Sequence, residues 1–323
     1  MPVRAALLCS LVALASCAAQ REKSAFIDAM VAKHRFSEDE LEDVFAQVKI
    51  RDDVLKKIAF PAEAMPWHKY WKIFLTDARI KEGAVFWRLH ADTLKRVSEQ
   101  YGVPPEIIVA VLGVETLYGR RTGYYRVIDA LSTLAFAYPP RSPFFSKELE
   151  QFLLLCREEK VSPLQPSGSY AGAMGMPQFM PSSFRIFAAD FDRDGKRDLW
   201  RDPKDAIASI ASYFKAHGWA RNQPVAVRVF AKSEDYKALL NDKINRDLRI
   251  DELESARVEF SRPLPLESKV KLLAFEQERG DELWAVLDNF SVIKRYNQSS
   301  FYAMAVYQLS QALLNYRNSS PYE

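Results

Sequence analysis

Glu115 closes an apolar run made of Ile107, Ile108, Val109, Ala110, Val111, Leu112 and Val114. Ile108, Val111, Leu112 and Glu115 fall at i, i+3, i+4 and i+7, so the acid lies on the core stripe of a helix. An ionised carboxylate is costly to bury without a partner, and burial raises its pKa toward the range of a general acid. Two readings stand on this stretch alone. Glu115 is a proton donor and acceptor for catalysis, or it is a structural carboxylate paired with Arg120 or Arg121 or capping another helix.

Two further stretches carry chemistry. "SGSYAGAMGMPQFMPSSF", residues 167–184, is dense in Gly, Ala and Ser and contains Gln178. Small residues let a backbone come close to a ligand, or simply make a tight turn between helices. "DFDRDGKRDLWRDPKD" fits D-x-D-x-D-G, the front half of a calcium loop. Asp190, Asp192 and Asp194 offer carboxylates, Lys196 a backbone carbonyl, and Gly195 the sharp turn. Arg201 stands where a closing Glu is usual, and Asp205 lies further on. A bound Ca²⁺ of structural use is expected; the alternative is a solvated acidic turn beside Arg193, Lys196 and Arg197.

These residues must be positioned by a real core. The 323 residues are 48% hydrophobic and 27% charged, which fits a soluble globular chain and excludes bulk disorder. A net charge of +3 with no basic tract gives no ground for nucleic-acid binding. The segment "MPVRAALLCSLVALASCAAQ" has one Arg, then an apolar stretch from Ala5 to Ala15, which reads as a secretory signal over 1–17. Leu14-Ala15-Ser16-Cys17 resembles a bacterial lipobox, so Cys17 is the expected lipidation site and Ala18 points to the outer membrane. The expected location is the periplasm, with a membrane partner through the lipid anchor. Only Cys156 then remains in the body, and "FLLLCREEK" reads it as a small buried hydrophobe.

Helices are expected over most of the chain to about Trp219. Ser37-Glu38-Asp39-Glu40 reads as a capping box and Thr76 as a cap. One helix is expected from Thr76 to Gly102, with "MPWHKYWKIFL" before it extended or irregular. Pro104 and Pro105 open the Glu115 helix and Gly119 ends it. After Trp219 the period shifts toward 2 in "VAVRVFA", "ARVEF" and "KVKLLAF", with "ELWAVL" a further strand. Helix returns near Ser299. The expected layout is a helical region over 18–220 with the calcium loop near 190–205, a small β-rich subdomain over 221–288, and a C-terminal helical segment over 289–323 that completes a cleft.

"GVETLYG", "GSYAGAMGMPQFMPSSF", "DFDRDGKRDLW", "YFKAHGW" and "RYNQSSFYAMAVYQL" occur in this order. Together they resemble the membrane-bound lytic transglycosylase B family. The resemblance implies an α+β, predominantly α fold: a lysozyme-like helical catalytic core with a small inserted β-rich subdomain. It implies cleavage of the β-1,4 bond between N-acetylmuramic acid and N-acetylglucosamine in peptidoglycan glycan strands, with a 1,6-anhydro ring formed in place of hydrolysis. It makes Glu115 the single acid and base and requires no cofactor for catalysis. It places Ser169 near that acid, Gln178 as an amide on the sugar, and Tyr70, Tyr213, Tyr296, Asn297 and Tyr302 around the cleft. Arg141 falls at a position implied to meet the peptide stem, with Pro140 at its neighbour. Phe144 falls where the family can have a tyrosine, and Pro177 where it usually has a glycine. The family's longer acidic loop implies Asp205 as the closing carboxylate. Other readings are a hydrolytic muramidase, which needs a second carboxylate such as Asp129, and a non-catalytic wall-binding lipoprotein.

Overall fold

The computed structural model describes residues 20–59, 65–241 and 246–319. The signal segment and Cys17 lie outside the described residues. The chain divides into two compact units, one of residues 1–61 and 119–206 and one of residues 62–118 and 207–323.

The first unit is helical. It holds α1 over 20–34, α2 (Glu38–Ala46), α3 (Asp52–Ile58), α8 (Val127–Ala137), α9 (Ser142–Glu158) and α10 (Pro181–Phe187). Ser37 caps α2 as its sequence predicts, its Oγ accepting from the Glu40 N–H. α8 is buried from Val127 to Ala135, packing on α9 and α3. Its Asp129 and Thr133 are engaged, whereas the buried Ser132 hydroxyl has no hydrogen-bond partner among the described residues. Asp129 accepts from Arg126 at 2.8 Å and from the Lys49 N–H at 3.0 Å. Thr133 accepts from the Arg51 N–H. Glu148 on α9 accepts from the N–H and hydroxyl of Ser182, capping α10. These two buried acids therefore hold the fold together. Cys156 is buried on α9, where desolvation pushes its thiol up to about 12.

The second unit carries α4 (Trp67–Phe74), α5 (Asp77–Leu89), α6 (Ala91–Tyr101), α7 (Pro105–Thr116), α12 (Ile250–Ser255), α13 (Asp288–Tyr296) and α14 (Ser300–Ser319). α11 (Pro203–Ala216) begins in the first unit and runs into the second. Five antiparallel strands form one sheet in the order β4-β6-β7-β3-β5. They are β3 (Ala226–Ala231), β4 (Leu248–Arg249), β5 (Val258–Phe260), β6 (Lys269–Glu276) and β7 (Asp281–Val286). The register pairs Val229 with Phe260 on one side and with Leu283 on the other. Val229, Val258, Leu272 and Leu283 bury one sheet face against Tyr236 and Leu253.

Two expectations change. Residues 67–74 are helical, because Trp67, Tyr70, Trp71 and Phe74 stand at i, i+3, i+4 and i+7. The buried Trp67 ring lies 4.9 Å from Phe275 and 5.4 Å from Phe301. That packing outweighs the modest helix propensity of aromatic residues. The helix expected from Thr76 to Gly102 is two helices, separated at His90 (φ −116°, ψ 23°). Thr76 and Gly102 cap them as predicted, Gly102 in the left-handed conformation.

α7 positions Glu115. Ile107 through Gly113 are all buried, against α14 and α5. Burying five branched apolar side chains is worth on the order of 10 kcal/mol gross. That exceeds the few kcal/mol that one desolvated carboxyl costs. The helix stops at Thr116, before the predicted end. Leu117 and Tyr118 take left-handed backbones, and the Tyr118 N–H donates to the Leu112 carbonyl at 3.0 Å. The Tyr118 ring lies against Gly113, where a Cβ would come within 2.6 Å of its hydroxyl, and that hydroxyl donates to the Arg79 carbonyl. The turn directly after Glu115 is locked.

Candidate active site

In the second unit, Glu115 meets a tyrosine cluster. The Tyr302 hydroxyl donates to Glu115 Oε1 at 2.6 Å. Tyr302 is buried on α14, one turn after the Ser299 side chain accepts from its N–H. Tyr296 ends α13, its ring stacked parallel to Tyr302 at 6.3 Å. Tyr213 on α11 meets Tyr296 edge to face at 4.9 Å and donates to the Arg295 carbonyl at 2.8 Å. His217, one turn on, stacks on Tyr213 at 3.9 Å. Tyr70 on α4 is buried against Phe301, the residue before Tyr302. Four of the tyrosines read from the sequence therefore gather around one acid. Asn297, at the end of α13, is exposed.

The electrostatics follow from this setting. Burial pushes the Glu115 carboxyl up to about 7, and the Tyr302 hydrogen bond opposes that rise. No other carboxylate is among the groups that shift it. Tyr302 and Tyr296 are held well above the usual phenol range, by burial first and then by the Glu115 charge. Both stay neutral and can donate. With Oε1 accepting from Tyr302, the acid's proton sits on Oε2.

The first unit presents a second set. β1 (Tyr125–Arg126) pairs with β2 (Ser167–Gly168), a two-residue ladder that the sequence reading did not predict. At Gly123 (φ +95°) a Cβ would lie 2.1 Å from the Gly168 carbonyl oxygen, so only glycine allows this approach. Ser169 follows β2. Its Oγ accepts from the N–H groups of Ala171 (3.2 Å) and Ala173 (3.0 Å), which leaves its own proton to donate outward. Gln178 adopts φ +50° and donates its amide to the carbonyls of Gly175 (2.9 Å) and Thr122 (3.1 Å). Its side-chain amide thus braces the loop. Arg141 is exposed, its guanidinium 4.4 Å over the Phe144 ring.

The acidic loop gathers as its spacing predicts. Ligand oxygens of Asp190, Asp192 and Asp194 lie within 4.8 Å of one another, and so do those of Asp192, Asp202 and Asp205. Asp202 is a carboxylate that sequence reasoning missed. It reads as a plain helix start before Pro203, and its Oδ1 does accept from the Lys204 N–H. Asp205 is buried, accepts from the N–H groups of Phe191 and Asp198, and is pushed up to about 6 by burial. Lys204 stands on Asp192 at 2.9 Å. Lys196 is exposed, its N–H bonded to Asp194. A hard, oxygen-only donor set with a buried carboxylate raised chiefly by desolvation fits a calcium-sized cation.

A desolvated carboxyl held by a tyrosine in a helical core suits proton transfer to a leaving oxygen, the chemistry of a lysozyme-like glycosidic-bond-cleaving enzyme. Residues 18–311 match the transglycosylase SLT domain model, and the chain belongs to that family of lytic murein transglycosylases. It is 43% identical to membrane-bound lytic murein transglycosylase B of Escherichia coli, over 89% of this chain and 81% of that one. The fold is similar to that of Slt35 from Escherichia coli in complex with bulgecin A: TM-score 0.86, 44% identity, 92% of this chain and 94% of that one. Slt35 has also been solved in complex with calcium. SltB3 from Pseudomonas aeruginosa, in complex with NAG-anhNAM-pentapeptide, is 32% identical with TM-score 0.82, over 92% of this chain and 80% of that one. The chain is an enzyme of this class, mostly helical with a small sheet.

Proposed function

We propose that the enzyme cleaves the β-1,4 bond between N-acetylmuramic acid and N-acetylglucosamine, with Glu115 as its single acid and base. One observation carries this reading. Glu115 is desolvated to a pKa of about 7, and among the described residues the side chain that shifts it is a neutral phenol, Tyr302. Glu115 Oε2 gives its proton to the glycosidic oxygen as the C1–O bond breaks. The muramoyl C6 hydroxyl then bonds to C1, and its proton returns to Glu115. No water enters, and the acid is regenerated. Such chemistry needs one carboxylate where hydrolysis by inversion or retention needs two. Asp129 and Glu148, two of the buried acids of the first unit, are engaged in structural bonds, and the third, Asp205, accepts from two backbone N–H groups of the acidic loop.

Tyr70, Tyr213, Tyr296 and Asn297 of the second unit would bind sugar; of the first unit, Ser169 and Gln178 would bind sugar, and Arg141 and Phe144 would contact the stem peptide. Peptidoglycan strands are the partner. The test is mass spectrometry of products from purified peptidoglycan. Anhydromuramoyl ends, one water lighter than reducing ends, are expected. Reducing ends alone would assign hydrolysis.

Asp190, Asp192, Asp194 and Asp205, with the Lys196 carbonyl, would hold a calcium ion, and Asp202 adds a sixth candidate donor. The calcium-bound Slt35 structure supports this assignment. The ion would neutralise carboxylates that otherwise repel and so stabilise the loop. Calcium at about 100 times its Kd is expected to stabilise the fold by about 2.7 kcal/mol, read as a rise in Tm reversed by chelation. Asp192→Asn should abolish the rise; an unchanged wild-type Tm with and without calcium would count against the site.

Cys17 would carry a lipid that anchors the enzyme to the outer membrane on its periplasmic side. The membrane-bound Escherichia coli relative supports this location. Among the described residues no helix is long and apolar enough to cross a membrane.

A further inference from the structure

We infer that Tyr124 is a stacking platform for a sugar ring of the glycan strand, a subsite of the first unit in addition to the residues assigned above. Tyr124 is 74% exposed. Its ring is also not loose. One face stacks on Tyr125 at 4.6 Å. Lys57 Nζ donates to the hydroxyls of Tyr124 (3.2 Å) and Tyr125 (2.9 Å). The Tyr125 hydroxyl donates to Asp53 Oδ2 at 2.8 Å, and Arg51 clamps Asp53 through two hydrogen bonds. Four side chains thus fix one phenol, with Lys57 Nζ also 5.5 Å from its ring centroid, while most of its surface stays open to solvent. A rigid flat ring loses little entropy on binding, which is what a low-cost contact to a polymer requires.

The location selects the ligand. Tyr124 lies between Gly123, which packs on the Gly168 carbonyl, and Tyr125, which pairs with Gly168 across the β1–β2 ladder. Ser169 is the next residue after that ladder. Thr122, two residues before Tyr124, accepts from the Gln178 amide. The platform is therefore built on the strands that set Ser169 and Gln178. The substrate proposed for those residues is a long strand of N-acetylated pyranoses. The C–H face of a pyranose suits an open aromatic face, and the Lys57 ammonium beside it suits sugar hydroxyls. The inference rests on the glycan-cleaving reading of the site.

The experiment compares the wild type with Tyr124→Ala and Tyr124→Trp on long glycan strands and on short oligosaccharides of the same sugars. Tyr124→Ala should raise KM for long strands roughly three- to tenfold relative to short ones, with kcat held. Tyr124→Trp, which keeps an aromatic face, should restore the long-strand KM. Co-sedimentation of each variant with the strands reads the same loss as a weaker Kd, independent of turnover. An unchanged long-strand KM and Kd would overturn the platform. So would an equal loss of kcat on both substrates, which signals a disturbed loop. Failure of the wild type to make anhydromuramoyl ends would strike the reading of Glu115 and leave the co-sedimentation result to judge Tyr124.

Discussion

Glu115→Gln is expected to reduce turnover of peptidoglycan by about 10³-fold or more, since one carboxyl supplies both proton transfers. The same substitution should leave the fold intact and alter its pH dependence. The wild-type acid is raised from 4.5 to about 7 in the folded state. Below about pH 4.5 both folded and unfolded chains hold the proton, and burial of the neutral acid costs little. Between there and about pH 7 the unfolded chain gives up its proton while the folded chain keeps it, so stability falls as pH rises. Above pH 7 the deficit is constant, about 3 kcal/mol at most. The glutamine has no charge to lose. Chemical denaturation at pH 4.5 and pH 8 should therefore show the variant gaining on the wild type at the higher pH. A parallel offset at both values would mean that Glu115 is not desolvated. Wild-type kcat/KM should fall above about pH 7, as the acid needed for the first step ionises. Retained full activity in Glu115→Gln would remove the assignment.

Tyr302→Phe should have the second largest effect, and its sign is diagnostic. The 2.6 Å bond to Glu115 Oε1 favours the ionised form and holds the pKa down. A hydrogen bond to a charged group is worth about 1.5–3 kcal/mol, which corresponds to roughly one to two pH units. Its loss should move the alkaline limb of the activity profile upward by about one unit. It should also lower kcat by about 10–100-fold, because Oε1 is no longer fixed and the proton on Oε2 loses its aim. The ring is conserved in the substitution, so its stacking on Tyr296 remains. A drop in kcat with the limb unmoved would assign Tyr302 to packing alone. The two variants together separate the proton carrier from the group that tunes it.

The sequence made the helix carrying Glu115 legible because a run such as Ile107 to Val114 has one stable fate, and the acid at its end conflicts with that fate. The acidic loop was equally plain, since Asp190, Asp192 and Asp194 at alternate positions with Gly195 encode a local turn. The strands 226–231, 258–260, 269–276 and 281–286 announced themselves by period. Residues 67–74 were misread because aromatic density obscured a helical stripe whose reason is Trp67 against Phe275 and Tyr70 against Phe301. The break at His90 had no local punctuation. Asp202 falls outside the alternate spacing of the loop acids, and folding brings it beside Asp192 and Asp205.

By itself the sequence determined the helix content, the core acid, the loop chemistry and the family. These rest on local spacing and on burial, which any chain segment declares through its own residues. Only the tertiary structure decided that Tyr302, 187 positions away, is the partner of Glu115. It alone decided that Asp129 and Glu148 are structural and that Lys57 and Asp53 fix Tyr124. Hydrogen bonds between distant side chains depend on where separate elements meet. No local period encodes that meeting, so the pKa of Glu115 is a property of the folded chain.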